Sequence, residues 1–179
     1  MRQQNRDLAL VGLFVALIAV GAFIRVPVPY VPFTLQFFFT TLAGMLLGAK
    51  KGALASGLYV LLGLIGIPIF TQGGGPAYIF QPTFGYLAGF IFGSFATGLL
   101  AERKRGIGEL FLAAIVGLLI VYVMGCVHLF LIRSMYLKQP IGIVPLLLHG
   151  FLLPLPGDVA LSLVAALLCR RLRPALKRL

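Results

Sequence analysis

Long apolar runs, each closed by a short cluster of proline, glycine or basic residues, set the pattern of this chain. The first run covers residues 8–24. An α-helix rises ~1.5 Å per residue and the hydrocarbon core of a bilayer is ~30 Å thick, so about 20 apolar residues cross it. The run is a little short but adequate with its flanks. Arg25 ends it, and Pro27, Pro29 and Pro32 then impose an extended loop. Proline lacks the N–H a helix needs and pushes the residue before it out of helical geometry. A second span is predicted from Thr34 to Leu47 and a tight basic turn over Gly48–Gly52. The third span runs from Ala53 to Ile67, and Pro68 with the glycines Gly73, Gly74 and Gly75 marks a long turn. The fourth runs from Thr83 to Leu100 and the fifth from Leu110 to Ile132. Residues 141–169 are too long for one simple span and contain Pro145, Pro154 and Pro156. Their first part reads as an interfacial segment or short helix. The sixth span begins near Pro156-Gly157-Asp158 and ends at Arg170-Arg171.

Composition agrees with lipid as the solvent. Of 179 residues, 60% are hydrophobic and 11% charged, too few charges to cover a soluble core. The expectation is an all-α integral membrane protein with six transmembrane helices, a single membrane domain over residues 1–179. No long polar linker or hydrophilic domain is evident, and the first run lacks a small-residue cleavage site of the signal-peptide kind. The net charge of +11 would suggest nucleic acid in a soluble protein, but the basic residues lie between the apolar runs, where they orient the chain and meet lipid. With six spans, Arg2, Arg6, Lys50, Lys51, Arg103, Lys104, Arg105, Arg170, Arg171, Arg173, Lys177 and Arg178 fall on one side. Arg25, Arg133 and Lys138 fall on the other. The positive-inside rule then puts both termini in the cytoplasm of a multi-pass cell-membrane protein. No nucleic-acid partner is expected.

The same alternation of sides gathers the polar residues at the outer end. Thr34 and Gln36 open span 2, Gln81, Thr83 and Tyr86 open span 4 with Tyr78 in the loop before it, and Asp158 opens span 6. A hydrophobic bundle with hydrogen-bonding groups at one end suits a small-molecule site. Asp158 reads either as an acceptor for ligand N–H groups or as a helix N-cap. Gly73–Gly75 read as a loop closing over a ligand rather than a phosphate cradle, since no Walker-type G-x-x-x-x-G-K-[ST] is present. Gly12 and Ala16 form a small-xxx-small step on span 1, as do Gly44 and Gly48 on span 2. Such steps serve packing within the bundle or docking of another membrane protein. His128 and His149 do not form a ligand pair, so no metal is expected, and Cys126 and Cys169 stand too far apart in sequence to suggest a disulfide framework. Neither a catalytic constellation nor a polar stripe along a whole span is visible, which argues against an intramembrane enzyme and a channel.

Several motifs then occur in a specific order: Pro29-Tyr30-Val31-Pro32-Phe33-Thr34-Leu35-Gln36, Gly63-Leu64-Ile65-Gly66-Ile67-Pro68-Ile69-Phe70, the glycine loop, Pro82-Thr83-Phe84-Gly85-Tyr86-Leu87-Ala88-Gly89-Phe90, and Pro156-Gly157-Asp158. Together they resemble the BioY family, over nearly the whole chain. The resemblance implies a substrate-binding (S) component of an energy-coupling-factor (ECF) vitamin transporter, with six helices and no cofactor. It implies biotin as ligand, and as partners a transmembrane coupling protein and two ATPase subunits. It also implies that Gly12 and Ala16 belong to a partner-docking surface. The family's last-span motif D-x-x-K is altered, with Leu161 in place of the lysine. Arg25, Lys138 or loop N–H groups would then meet the ligand's anionic end, or the ligand would be a biotin precursor or another small vitamin.

Overall fold

Helix α1 spans Arg2–Phe23, α2 Gln36–Leu47, α3 Ala49–Leu64, α4 Phe84–Ala101, α5 Ile107–Leu131, α6 Ile143–Leu147 and α7 Leu155–Arg178. The structure is a computed structural model that describes residues 2–104 and 106–178. Arg105 and the side chains of Arg2, Lys177 and Arg178, counted above among the inner basic groups, lie outside the described residues. Among those described, six helices have twelve or more residues, and four stretches are long and apolar enough to cross a bilayer: Gln3–Phe23, Phe84–Ala101, Ile107–Tyr136 and Ile143–Leu176. The protein is an all-α integral membrane protein of six principal helices.

The differences from the predicted spans lie at the ends. The basic turn expected over Gly48–Gly52 is a single residue. Gly48 (φ 84°) separates α2 from α3, and Lys50 and Lys51 already belong to the first turn of α3. The left-handed backbone at Gly48 reverses the chain in one residue, which glycine alone does without strain. The proline loop is more ordered than a plain extended loop. Strand β1 (Arg25–Val26) pairs antiparallel with β2 (Phe33–Thr34), with Arg25 opposite Thr34. Thr34 therefore lies in the hairpin rather than in the helix. In the last stretch, α6 continues through a wide helical turn at Leu148–Leu152 towards α7, so the expected interfacial piece is a nearly continuous, irregular helix.

Helix α2 is central, packing on α1, α3, α4 and α7, while α4 and α5 form the most intimate pair. Small residues on α4 and α5 permit that closeness. A Cβ on Gly89 would fall 2.9 Å from the Val121 backbone, and one on Gly93 2.9 Å from the Gly117 carbonyl. Gly44 serves the same purpose between α2 and α4, since its Cβ would meet the Ser94 carbonyl at 2.4 Å. In lipid, where apolar side chains gain nothing by leaving the solvent, such close packing is a main source of association. At the basic end, Arg173 of α7 donates to the carbonyls of Met45 and Ala101 (both 2.8 Å) and Lys104 (2.6 Å), satisfying acceptors at the ends of α2 and α4. Lys51 pairs with Asp7 there, tying α3 to α1.

At ~1.5 Å per residue, the 12 residues of α2 reach only ~18 Å. The shortfall is made up at the opposite end by the proline hairpin and the glycine loop. Irregular backbone at membrane depth is tolerated where it lines a cavity, and a cavity lies there.

Candidate ligand-binding site

The N-terminal parts of α2, α4 and α7 meet the side of α5 beneath the hairpin. The cavity between them is tight, about 60 Å³ and partly open to the surface, below the ~300–1,000 Å³ usual for small-ligand sites. Val31, Pro32 and Phe33 of the hairpin cover it, and Phe37, Leu87, Phe90 and Val121 form its apolar wall. Thr34, Gln36, Tyr78, Thr83, Tyr86 and Asp158, six of the seven residues anticipated from sequence, line it as well. The seventh, Gln81, is not among the lining residues. Its backbone N–H donates to the Tyr78 carbonyl (2.9 Å) and its carbonyl accepts from Phe84 N–H (3.0 Å), so it shapes the bend before α4.

Asp158 sits in the first turn of α7 and is 5% exposed. The helix starts at Leu155, and the Asp158 carboxylate accepts the Tyr122 hydroxyl (2.6 Å) through Oδ2, so it is not the N-cap. Its Oδ1 is buried without a hydrogen-bond partner. An unsatisfied buried acceptor typically costs about 1–3 kcal/mol. The positive end of the α7 dipole favours its negative charge. The preceding Gly157 leaves space for the Phe33 ring, which a Cβ would meet at 2.7 Å. The Pro-Gly-Asp sequence thus brings hairpin and carboxylate together.

The other polar groups are mutually engaged. Gln36 Nε2 donates to the Tyr59 hydroxyl (2.7 Å), which donates to the Ile69 carbonyl (3.0 Å), and Thr34 Oγ1 donates to Gln36 Oε1 (3.2 Å). This chain ties hairpin, α2, α3 and the loop after α3. The Tyr78 hydroxyl meets Thr71 Oγ1 at 3.1 Å. The Tyr86 hydroxyl donates to the Gly150 carbonyl (2.8 Å), and its ring rests on Gly125, where a Cβ would lie 2.3 Å from it. The glycine loop spends its N–H groups internally: Gly75 N–H donates to the Gly63 carbonyl (2.7 Å) and Gly73 N–H to the Phe70 carbonyl (3.2 Å). None of the three glycines is among the residues lining the cavity; the segment reaches it through Thr71. His128 contacts the Ile79 carbonyl (3.1 Å) and His149 the Pro145 carbonyl (2.9 Å).

The BioY family model matches residues 1–178. The chain belongs to the BioY family. "Probable biotin transporter BioY" of Lysinibacillus sphaericus is 39% identical over 96% of this chain and 88% of its own length. "Biotin transporter BioY" of Thermotoga maritima is 41% identical over 94% of this chain and 96% of its own. Among solved structures, the S-component for biotin from an ECF-type ABC transporter superposes with a TM-score of 0.84 at 27% identity, covering 97% of this chain and 93% of that one.

In this BioY-family chain the sequence reading missed Tyr122, which among the described residues is the one side chain hydrogen-bonded to the Asp158 carboxylate. A polar residue inside the apolar fifth run was the available signal, but spacing along one helix says nothing about a partner on another. Leu161, at the position of the family lysine, is half-buried and is not among the lining residues. On α1, Gly12 and Ala16 are exposed on the outside of the bundle, and a Cβ on Gly12 would meet nothing within 4 Å. Unlike Gly44, this step does not serve internal packing.

Proposed function

We propose that this chain is the S-component of an ECF-type importer and binds biotin in the cavity beneath the hairpin, from the extracellular side. The observation that carries the reading is the buried, unpartnered Oδ1 of Asp158 in a site walled by aromatic and aliphatic side chains. A ureido N–H is the complementary donor, and aromatic side chains such as Tyr78 and Tyr86 offer faces for the ligand's ring system. Thr34 and Thr83 supply further hydrogen-bonding capacity, and Gln36 holds the cover in place. The names of the curated relatives support biotin over a precursor. The leucine that raised the alternative is not among the residues lining the cavity.

In this reading the chain is a single membrane domain with both termini cytoplasmic, embedded in the cell membrane of a bacterium. It performs no chemistry on its ligand. A transmembrane coupling protein and two ATPase subunits supply the energy, and the exposed Gly12–Ala16 step of α1 is the docking face. Isothermal titration of biotin into purified protein in lipid nanodiscs tests the ligand. Saturable binding at or below micromolar concentration is expected, and none at that concentration overturns the reading.

A further inference from the structure

Among the described residues, the cavity's lining contains a carboxylate but no basic side chain to balance an anionic ligand tail. Three basic residues occupy this end of the bundle: Arg25, Arg133 and Lys138. They are not equivalent. Arg25, in β1, stands opposite Thr34 in the hairpin register, and its guanidinium crosses to donate to the Thr71 carbonyl (2.5 Å). Thr34 and Thr71 both line the cavity, so Arg25 bridges two segments of its rim. Arg133 instead lies 4.9 Å over the Tyr30 ring and reaches Gln139 Oε1 (3.5 Å). Lys138 is exposed in the loop beyond α5.

Resting on the ligand reading above, we propose that Arg25 binds the anionic tail of the ligand at the cavity rim and makes the site select an acid over its neutral analogue. A guanidinium carries five N–H donors in a planar fork. One nitrogen is engaged with the Thr71 carbonyl, which holds the fork in place and leaves further donors for a carboxylate. The exposed position keeps the arginine solvated before binding, so little desolvation opposes the contact. Asp158 at one end and Arg25 at the other give the site a polarity: N–H groups enter first and the acid remains at the rim. A lysine on α7 is then not required for an acidic ligand.

Affinities for biotin and for biotinamide, its neutral and nearly isosteric amide, measured on the wild type, Arg25→Gln and Arg133→Gln, test the assignment. The ratio of the two affinities is the readout, because loosening of the cover or partial misfolding weakens both ligands together. The wild type is expected to prefer the acid by about tenfold or more, the scale of a charge-assisted hydrogen bond. Arg25→Gln brings the ratio close to one, and Arg133→Gln leaves it unchanged. Preference retained in Arg25→Gln, or lost in Arg133→Gln alone, overturns the assignment. A wild type that binds both ligands equally overturns it while leaving the biotin reading intact. A wild type that binds neither overturns the biotin reading itself.

Discussion

Replacing Asp158 with asparagine separates a ligand-binding carboxylate from a structural one. In the unliganded protein Oδ2 takes the Tyr122 hydroxyl and Oδ1 is buried without a partner. A ligand N–H at Oδ1 forms a charge-assisted hydrogen bond worth about 1.5–3 kcal/mol, against about 0.5–1.5 kcal/mol for a neutral one. Asparagine keeps the shape but loses the charge and one acceptor. Its single carbonyl oxygen is wanted by both Tyr122 and the ligand; if it turns to the ligand, the NH₂ donates to the Tyr122 oxygen and the Tyr122 hydroxyl hydrogen loses its charged acceptor. The difference of about 1–2 kcal/mol predicts a 5- to 30-fold weaker affinity for biotin, at roughly tenfold per 1.4 kcal/mol. Folding responds in the opposite sense. A neutral amide is less expensive to bury than an unsatisfied carboxylate, so the thermal midpoint of the unliganded variant holds or rises. Calorimetric titration alongside thermal unfolding of both proteins without ligand checks the pair of outcomes. Unchanged affinity, or a fall in affinity accompanied by a lower midpoint, refutes the reasoning and makes Asp158 a structural residue.

Three further predictions concern the bundle. Gly44→Ala puts a Cβ within 2.4 Å of the Ser94 carbonyl and should destabilise the fold by about 1–3 kcal/mol, lowering the thermal midpoint. Gly12→Leu, which meets nothing in the bundle, should leave the midpoint unchanged and reduce co-purification with the coupling protein; undiminished capture would remove α1 from the docking surface. Tyr59→Phe deletes the hydroxyl between Gln36 Nε2 and the Ile69 carbonyl, leaving the buried Gln36 amide and the part-buried carbonyl to be satisfied otherwise. A loss of about 1–3 kcal/mol in stability is expected, with weaker ligand binding because the hairpin is anchored through Gln36. A variant as stable as the wild type would show that the link is dispensable.

The six principal helices were legible because bilayer thickness imposes a length and an apolar composition on any segment that crosses it. Charge asymmetry and alternating sides then sorted the polar residues to one end, so Asp158, Gln36 and Tyr86 could be named before their neighbours were known. Exact ends were less legible. Lys50 and Lys51 look like turn residues, yet a helix end at the lipid boundary accepts lysines readily, and the reversal needs only Gly48. The irregular helix after α5 was obscured by its prolines, which disturb hydrogen bonding without ending the element.

The sequence alone therefore determined solvent, helix count and the end at which ligand chemistry gathers, since each depends on local composition and period. Only the tertiary structure decided which groups meet. It joined Tyr122 to Asp158 across 36 residues, set Arg25 against Thr71, excluded Gln81 from the lining, and turned Gly44 inward but Gly12 outward. Those outcomes depend on the rotation and depth of one helix against another. Packing fixes both, and no single segment encodes either.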